Sequence, residues 1–405
     1  MKIQRTLPPA ASPVHLNNLL HGLTYSLSGK KQFMKLEEEL KAYFNARHVF
    51  LVSSGKSALT LILNALKSLS PTRSQVLIPA YTCFSVPSAI VKAGLEVSLC
   101  DIDPSSFDFD YKSLGELIQG KTLCVIPNHL FGIPSDMDRI NRLCKEEGVF
   151  VVEDGAQAMG GVYRGKKLGT MGDVGFFSLA RGKNITCGSG GIIVTNSDPI
   201  ASAIDKEVSC LKNPKLMETI KEFLKMIGMS IFIRPSLYWF PSGLSFLRLG
   251  ETVFHKEFPI KRLSGMQAGF LRGWQKKLEE SNRIRQENAE YFLERLGLRS
   301  KGRESNGVSI PYLRLPVLLK NRRERDQLFV VSNNKGSGLS LMYPTPINEI
   351  KEIKDRFDGK IFPSAKRVSE TLLTIPTHGF ITDKDKEELS QLFDSHGLIS
   401  ATKHS

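Results

Sequence analysis

Seven short apolar runs, each of strand length and each closed by polar or glycine-rich residues, constrain this chain more than any other feature. They occupy residues 49–52, 76–78, 95–100, 123–126, 149–152, 174–179 and 192–195. Segments with helical spacing, such as 58–66 and 137–144, lie between the earlier ones. Strands buried on both faces read as continuous apolar runs, and their alternation with helices implies an α/β fold whose mostly parallel sheet is covered on both sides.

In such sheets ligands bind beyond the carboxyl ends of the strands, so the residues after each run carry the chemistry. The first run is followed by Ser53-Ser54-Gly55-Lys56-Ser57, the second by residues 79–84, the third by Asp101 and the fourth by His129. The fifth ends at an acidic pair, Glu153 and Asp154, and the sixth at a basic, glycine-containing loop with Lys183. An acid and a lysine leaving neighbouring strand ends match pyridoxal phosphate chemistry: the lysine forms a Schiff base and the carboxylate keeps the pyridine nitrogen protonated. Small residues at the start of the apolar helix 58–66 suit a phosphate site, because helix N-terminal N–H groups bind anions. Lys56 either adds charge there or points to solvent, and the spacing is not that of a P-loop. His129 orients a substrate or satisfies buried backbone groups, the second being the favoured reading.

The residues also resemble a known family. DGAQA (154–158) and FSLARGKNITCGSGG (177–191) are similar to motifs of the fold-type I sugar aminotransferases, the DegT or StrS family. The resemblance implies a seven-stranded pyridoxal-phosphate-binding domain over residues 1–265 and a smaller C-terminal α+β domain over 266–405. It implies Asp154 against the pyridine nitrogen, Gln157 against the ring or its phenolic oxygen, Ser178 on the phosphate and Lys183 as the Schiff-base lysine. SSGKSAL resembles the family's SGTAAL, which adds Gly55, Lys56 and Ser57 to the phosphate site. IPAYTCFSVPSAI resembles a segment whose aromatic residue stacks on the ring; here either Cys83 or Phe84 takes that place. Relatives carry an Asn that reaches the partner subunit's phosphate where this chain has Ile260, while Arg262 is kept.

Composition narrows the setting. The chain has 405 residues, 41% of them apolar, and a net charge of +14. No basic tail or zinc-finger, homeodomain or RNP-like pattern accompanies that charge, so nucleic acid ranks low as a partner. Six scattered cysteines without CxxC spacing argue against a metal site and for a reducing compartment. The N-terminal residues are too polar for a secretory signal, and a cytoplasmic location is expected. Residues 210–258 mix lysines with apolar and aromatic runs, which suits a subunit interface, a cover for the active site, or a peripheral membrane contact.

The expected function is transfer of an amino group, with glutamate as donor, to a nucleotide-linked keto sugar for glycan biosynthesis, by a homodimer. The alternatives are a sugar dehydratase of the same fold, which would carry histidine in place of Lys183, and a non-catalytic or regulatory member. A dinucleotide-binding dehydrogenase is disfavoured because no GxGxxG lies between a strand and a helix. One long helix is expected to carry Phe270, Trp274, Leu278, Phe292 and Leu296 on one face, with further strands at 312–319, 339–342 and 372–375 and a helix at 383–393.

Overall fold

The structure is a computed structural model that describes residues 3–14, 16–247, 249–298 and 307–395. The outer ends of the two expected domains, residues 1–2 and 396–405, lie outside the described residues.

All seven apolar runs become strands of one sheet: β1 (His48–Val52), β2 (Gln75–Pro79), β3 (Glu96–Cys100), β4 (Thr122–Val125), β5 (Phe150–Asp154), β6 (Val174–Ser178) and β7 (Gly191–Thr195). Their order is β1-β7-β6-β5-β4-β2-β3. Strand β7 runs against both neighbours, and the other pairings are parallel. The reason is local, because residues 179–190 fold back as a loop between β6 and β7 where a parallel pairing would need a crossover helix.

A period of two is hidden inside the apolar runs. Val52, Val76, Ile78, Val152, Phe176 and Ile193 face the largest core. Val49, Leu51, Phe177, Ile192 and Val194 face a second core, and Leu77, Val125 and Val151 a third. Helices cover both sides. Helix α1 (Leu16–Phe44) buries Leu36, Leu40 and Phe44 in the second core. Helix α2 (Gly55–Leu69) is capped by Ser54 and buries Leu59, Leu61, Ile62, Leu63 and Leu66. At about 1.5–3 kcal/mol for each large side chain, that burial anchors the amino end of α2 at the sheet's carboxyl edge. Helices α3 (Ser85–Lys92), α4 (Met137–Glu146), α5 (Asp198–Ser209) and α6 (Leu216–Phe232) follow the later strands.

Two expectations are corrected. The long helix is broken: a short helix, Gly265–Phe270, stops, and α7 (Trp274–Arg295) starts after Gly273, whose φ of 66° turns the chain. Phe270, Trp274, Leu278, Phe292 and Leu296 are all buried, so the apolar pattern reported the core without reporting the break. The C-terminal part forms an antiparallel pair, β8 (Leu315–Leu318) and β9 (Leu372–Ile375), with helices α8 (Arg322–Lys335), α9 (Pro363–Thr371) and α10 (Asp383–Asp394). Residues 339–342 make no strand; Ser340 forms a single bridge to Thr374. Pro344 and Pro346 follow within a few residues and cannot donate to a ladder.

Candidate active site

Strand β5 ends in two carboxylates that point to opposite faces and do different things. Glu153 is 0% exposed. One of its oxygens accepts from Gly169 N–H at 2.7 Å and pairs with His129 Nε2 at 3.0 Å; the other accepts from the Met171 and Gly172 N–H groups. His129 Nδ1 accepts from Ser135 N–H, so Nε2 carries the ring proton and donates to Glu153. His129 is thus fully engaged inside the protein, like a structural histidine.

Asp154 is 3% exposed. Oδ1 accepts from Ala156 N–H at 3.0 Å, and among the described residues no donor reaches the other oxygen. Burial pushes this carboxyl up, while the Ala156 N–H, Lys183 and His129 pull it back.

Lys183 sits in the loop after β6, and its backbone is pinned from two distant parts of the chain. Its carbonyl accepts from Ser12 Oγ and, at 3.4 Å, from the Arg285 guanidinium. Arg285 also donates to the carbonyls of Ala11 and Leu313, so the N-terminal segment, α7 and the residues before β8 meet at this loop. Burial pushes the Lys183 amine down; Cys83 and Asp154 oppose that shift and Arg314 adds to it. A lysine held toward the neutral form is a nucleophile and a base.

The start of α2 lies against the end of β6. A Cβ on Gly55 would stand 3.0 Å from Ser178 Cβ, so glycine eases a close approach that a side chain would crowd. Ser57 N–H donates to Ser54 Oγ, and the hydroxyls of Ser53, Ser54 and Ser57 join one another. The first N–H groups of the helix remain unused by the helix itself. Lys56 is half-buried, with its ammonium 4.7 Å from the centre of the Phe258 ring, and burial lowers its pKa.

Gln157 is buried; it accepts from Phe131 N–H and donates to the Tyr343 hydroxyl at 2.9 Å. Cys83 lies beside the same tyrosine and within electrostatic reach of Lys56 and Lys183. Phe84 packs against Tyr343, with ring centres 6.3 Å apart. Ile260 packs on the largest core within a segment that zips onto the turn before α2 of the same chain: Ser53 N–H donates to the Lys261 carbonyl and Lys261 N–H to Ser53 Oγ. Arg262 is spent on the Val208 and Leu211 carbonyls.

Sequence reasoning missed Arg285 and Arg314; Tyr343 lies in MYPTPI (342–347), which resembles a segment lining the substrate mouth in relatives, and Tyr238 lies in the 210–258 segment. Arg314 left a signal, a lone charge in the apolar run PYLRLPVLL. A cavity of about 240 Å³, lined by residues including Ala46, Gly169, Gly172, Asp173 and Thr195, lies toward the opposite edge of the sheet, and neither Asp154 nor Lys183 lines it.

The family model for DegT/DnrJ/EryC1/StrS aminotransferases matches residues 15–393. The chain belongs to this family. Among similar family members is the GDP-perosamine synthase of Caulobacter vibrioides, 34% identical over 179 residues, which cover 44% of this chain and 48% of the relative. The UDP-2-acetamido-2-deoxy-3-oxo-D-glucuronate aminotransferase of Pseudomonas aeruginosa is 24% identical over 86% of both chains. The match to the first of these spans about half of the relative's length. PseC of Helicobacter pylori, an aminotransferase involved in pseudoaminic acid biosynthesis, shares the fold with a TM-score of 0.76 at 16% identity, over 96% of this chain and 99% of PseC.

Proposed function

We propose that this DegT-family chain is a pyridoxal-phosphate-dependent aminotransferase that passes an amino group from glutamate to a nucleotide-linked keto sugar. One observation carries the reading: the Lys183 amine and the Asp154 carboxylate leave adjacent strands within electrostatic reach of each other, with the start of α2 packed beside them. The residues fit the cofactor. Asp154 has an oxygen that no donor among the described residues reaches, the Lys183 amine is held toward neutrality, and Gly55 leaves a close approach between α2 and Ser178. The relatives, a GDP-perosamine synthase and an aminotransferase of a UDP-linked oxo-glucuronate, support the substrate class.

In this reading Asp154 would hold the pyridine nitrogen protonated, Gly55, Lys56, Ser57 and Ser178 would hold the phosphate, and Gln157 and Cys83 would flank the ring. When bound, the cofactor supplies an electron sink for the bond broken at the amino-bearing carbon. Lys183 Nζ takes the proton from that carbon and delivers it back on the other side of the exchange, which requires the neutral amine that burial favours. Borohydride reduction and peptide mapping should place a pyridoxyl group on Lys183; labelling of Lys56 or Lys166 instead would overturn the assignment.

The proposed working unit is a homodimer in the cytoplasm, each protomer divided into a large domain, 1–265, and a small one, 266–405. The division is supported by β8 and β9, which form a two-stranded sheet separate from the large one and arise wholly after residue 265. A peripheral contact with an anionic membrane completes the proposal. Helix α6 exposes Leu216, Met217, Ile220, Leu224 and Ile231 along one side, with Lys221 and Lys225 beside them, and Phe246 is 75% exposed nearby in sequence. Cationic side chains around an apolar stripe complement anionic lipid. No helix among the described residues is long and apolar enough to cross a membrane.

A further inference from the structure

Arg314 is a half-buried guanidinium at the foot of β8. Its Nη1 donates to Ser340 Oγ at 2.8 Å, and no carboxylate of the described residues pairs with it. The other enclosed arginines are occupied: Arg285 by three carbonyls and a hydroxyl, and Arg325 by Asp326 and the Ser369 carbonyl. An arginine carries five N–H donors, so most of those on Arg314 are unused.

Its position is set by the backbone. The carbonyls of Leu313 and Lys183 both accept from the Arg285 guanidinium, at 3.1 and 3.4 Å, which brings the residue before Arg314 next to the Lys183 loop. Arg314 acts electrostatically on Lys183 and is itself acted on by Tyr343 and Tyr238. Tyr238 belongs to the 210–258 segment and lies also within reach of Arg181, so that segment approaches the same place. Holding an enclosed cation without a counter-charge costs stability, and proteins keep such groups where a ligand compensates them.

We propose that Arg314 is a substrate-binding residue whose guanidinium receives the carboxylate of an acidic substrate beside Lys183. The inference rests on the aminotransferase reading and deepens it. A planar fork of N–H groups matches one carboxylate in both charge and shape. That carboxylate belongs either to the amino-acid donor or to an acid group on the keto sugar.

The test uses the full-length holoprotein with Arg314→Gln and Arg314→Lys. The change in visible absorbance is followed against glutamate for the donor half-reaction and against a panel of nucleotide keto sugars, with and without a uronate group, for the acceptor half. Glutarate binding is followed by calorimetry with and without cofactor, and each variant is melted. Arg314→Gln should raise the half-saturating concentration of one arm about 30- to 100-fold, with Arg314→Lys in between, while the melting temperature stays level or rises. A shift in the donor arm alone assigns the amino-acid carboxylate; a shift only with uronate sugars assigns the sugar acid. Unchanged dependence in both arms together with unchanged glutarate binding overturns the proposal, as does a sharp fall in melting temperature without either shift. If the wild type shows no lysine-linked absorbance, the aminotransferase reading fails by itself. Glutarate binding then still decides for Arg314 if the Gln variant loses it, and against if the variant keeps it or the wild type lacks it.

Discussion

Replacing Glu153 by Gln tests whether the adjacent acids of β5 divide into one structural and one chemical group. The substitution conserves size, so no cavity forms. The carboxylate receives two donors on each oxygen: Gly169 N–H and His129 Nε2 on one, Met171 N–H and Gly172 N–H on the other. Whichever way the amide is placed, its NH2 faces two N–H groups. Hydrogen bonds to a charged acceptor are worth about 1.5–3 kcal/mol each, so losing two costs roughly 3–6 kcal/mol. That is a large fraction of the roughly 5–15 kcal/mol that holds a domain together. Urea denaturation of the cofactor-free protein, followed by circular dichroism, reads the loss directly. Asp154→Asn is the matched control. Among the described residues Asp154 accepts from Ala156 N–H alone, a bond an amide oxygen can keep, and burial already disfavours its charge. That variant should match or exceed the wild type in stability while the single-turnover rate with glutamate falls by several orders of magnitude, because the electron sink is lost. A Glu153→Gln protein within about 1 kcal/mol of the wild type, or an Asp154→Asn protein less stable than it, would refute the division of roles.

Three further outcomes are expected. Burial pushes His378 from 6.5 down to about 4, against the Pro8 carbonyl that accepts from its Nε2. Because the folded value lies below the unfolded one, this stability is fully present above pH 6.5 and is lost as the pH falls toward 4, by roughly 3 kcal/mol; His378→Gln should flatten that part of the stability profile, and an unchanged slope would count against it. A Cβ added at Gly175 would stand 2.0 Å from the Gly169 carbonyl oxygen, so Gly175→Ala should cost at least the roughly 1–3 kcal/mol of an overpacked core, and a variant that melts like the wild type would contradict the packing. The full-length protein should co-sediment with anionic vesicles at low salt and lose that binding when Leu216, Ile220, Leu224 and Phe246 become Ser and Lys221 and Lys225 become Gln; equal sedimentation of the two would rule out the membrane contact.

Much of the site was legible in the order of residues. Strands buried on both faces announce themselves as apolar runs, and all seven became strands of one sheet, with Asp154 and Lys183 leaving neighbouring ends. Those are short-range facts, since a strand, the residue at its end and the loop after it are contiguous in the chain. What the sequence could not decide depends on partners far apart. The DGAQA resemblance singled out Asp154 but left the role of Glu153 open, and only the Gly169–Gly172 turn and His129 make Glu153 structural. The apolar spacing through Phe270 and Phe292 was right about burial and silent about the turn at Gly273, because a buried face has the same period on either side of a break. Arg285 belongs to the candidate site because Lys183, 102 positions away, folds against it, and Arg314 lies within electrostatic reach of the same lysine. Side-chain identity and local spacing are written along the chain; which charges are matched across the fold, and which are left open toward a ligand, is settled only when distant segments pack and exclude water from between them.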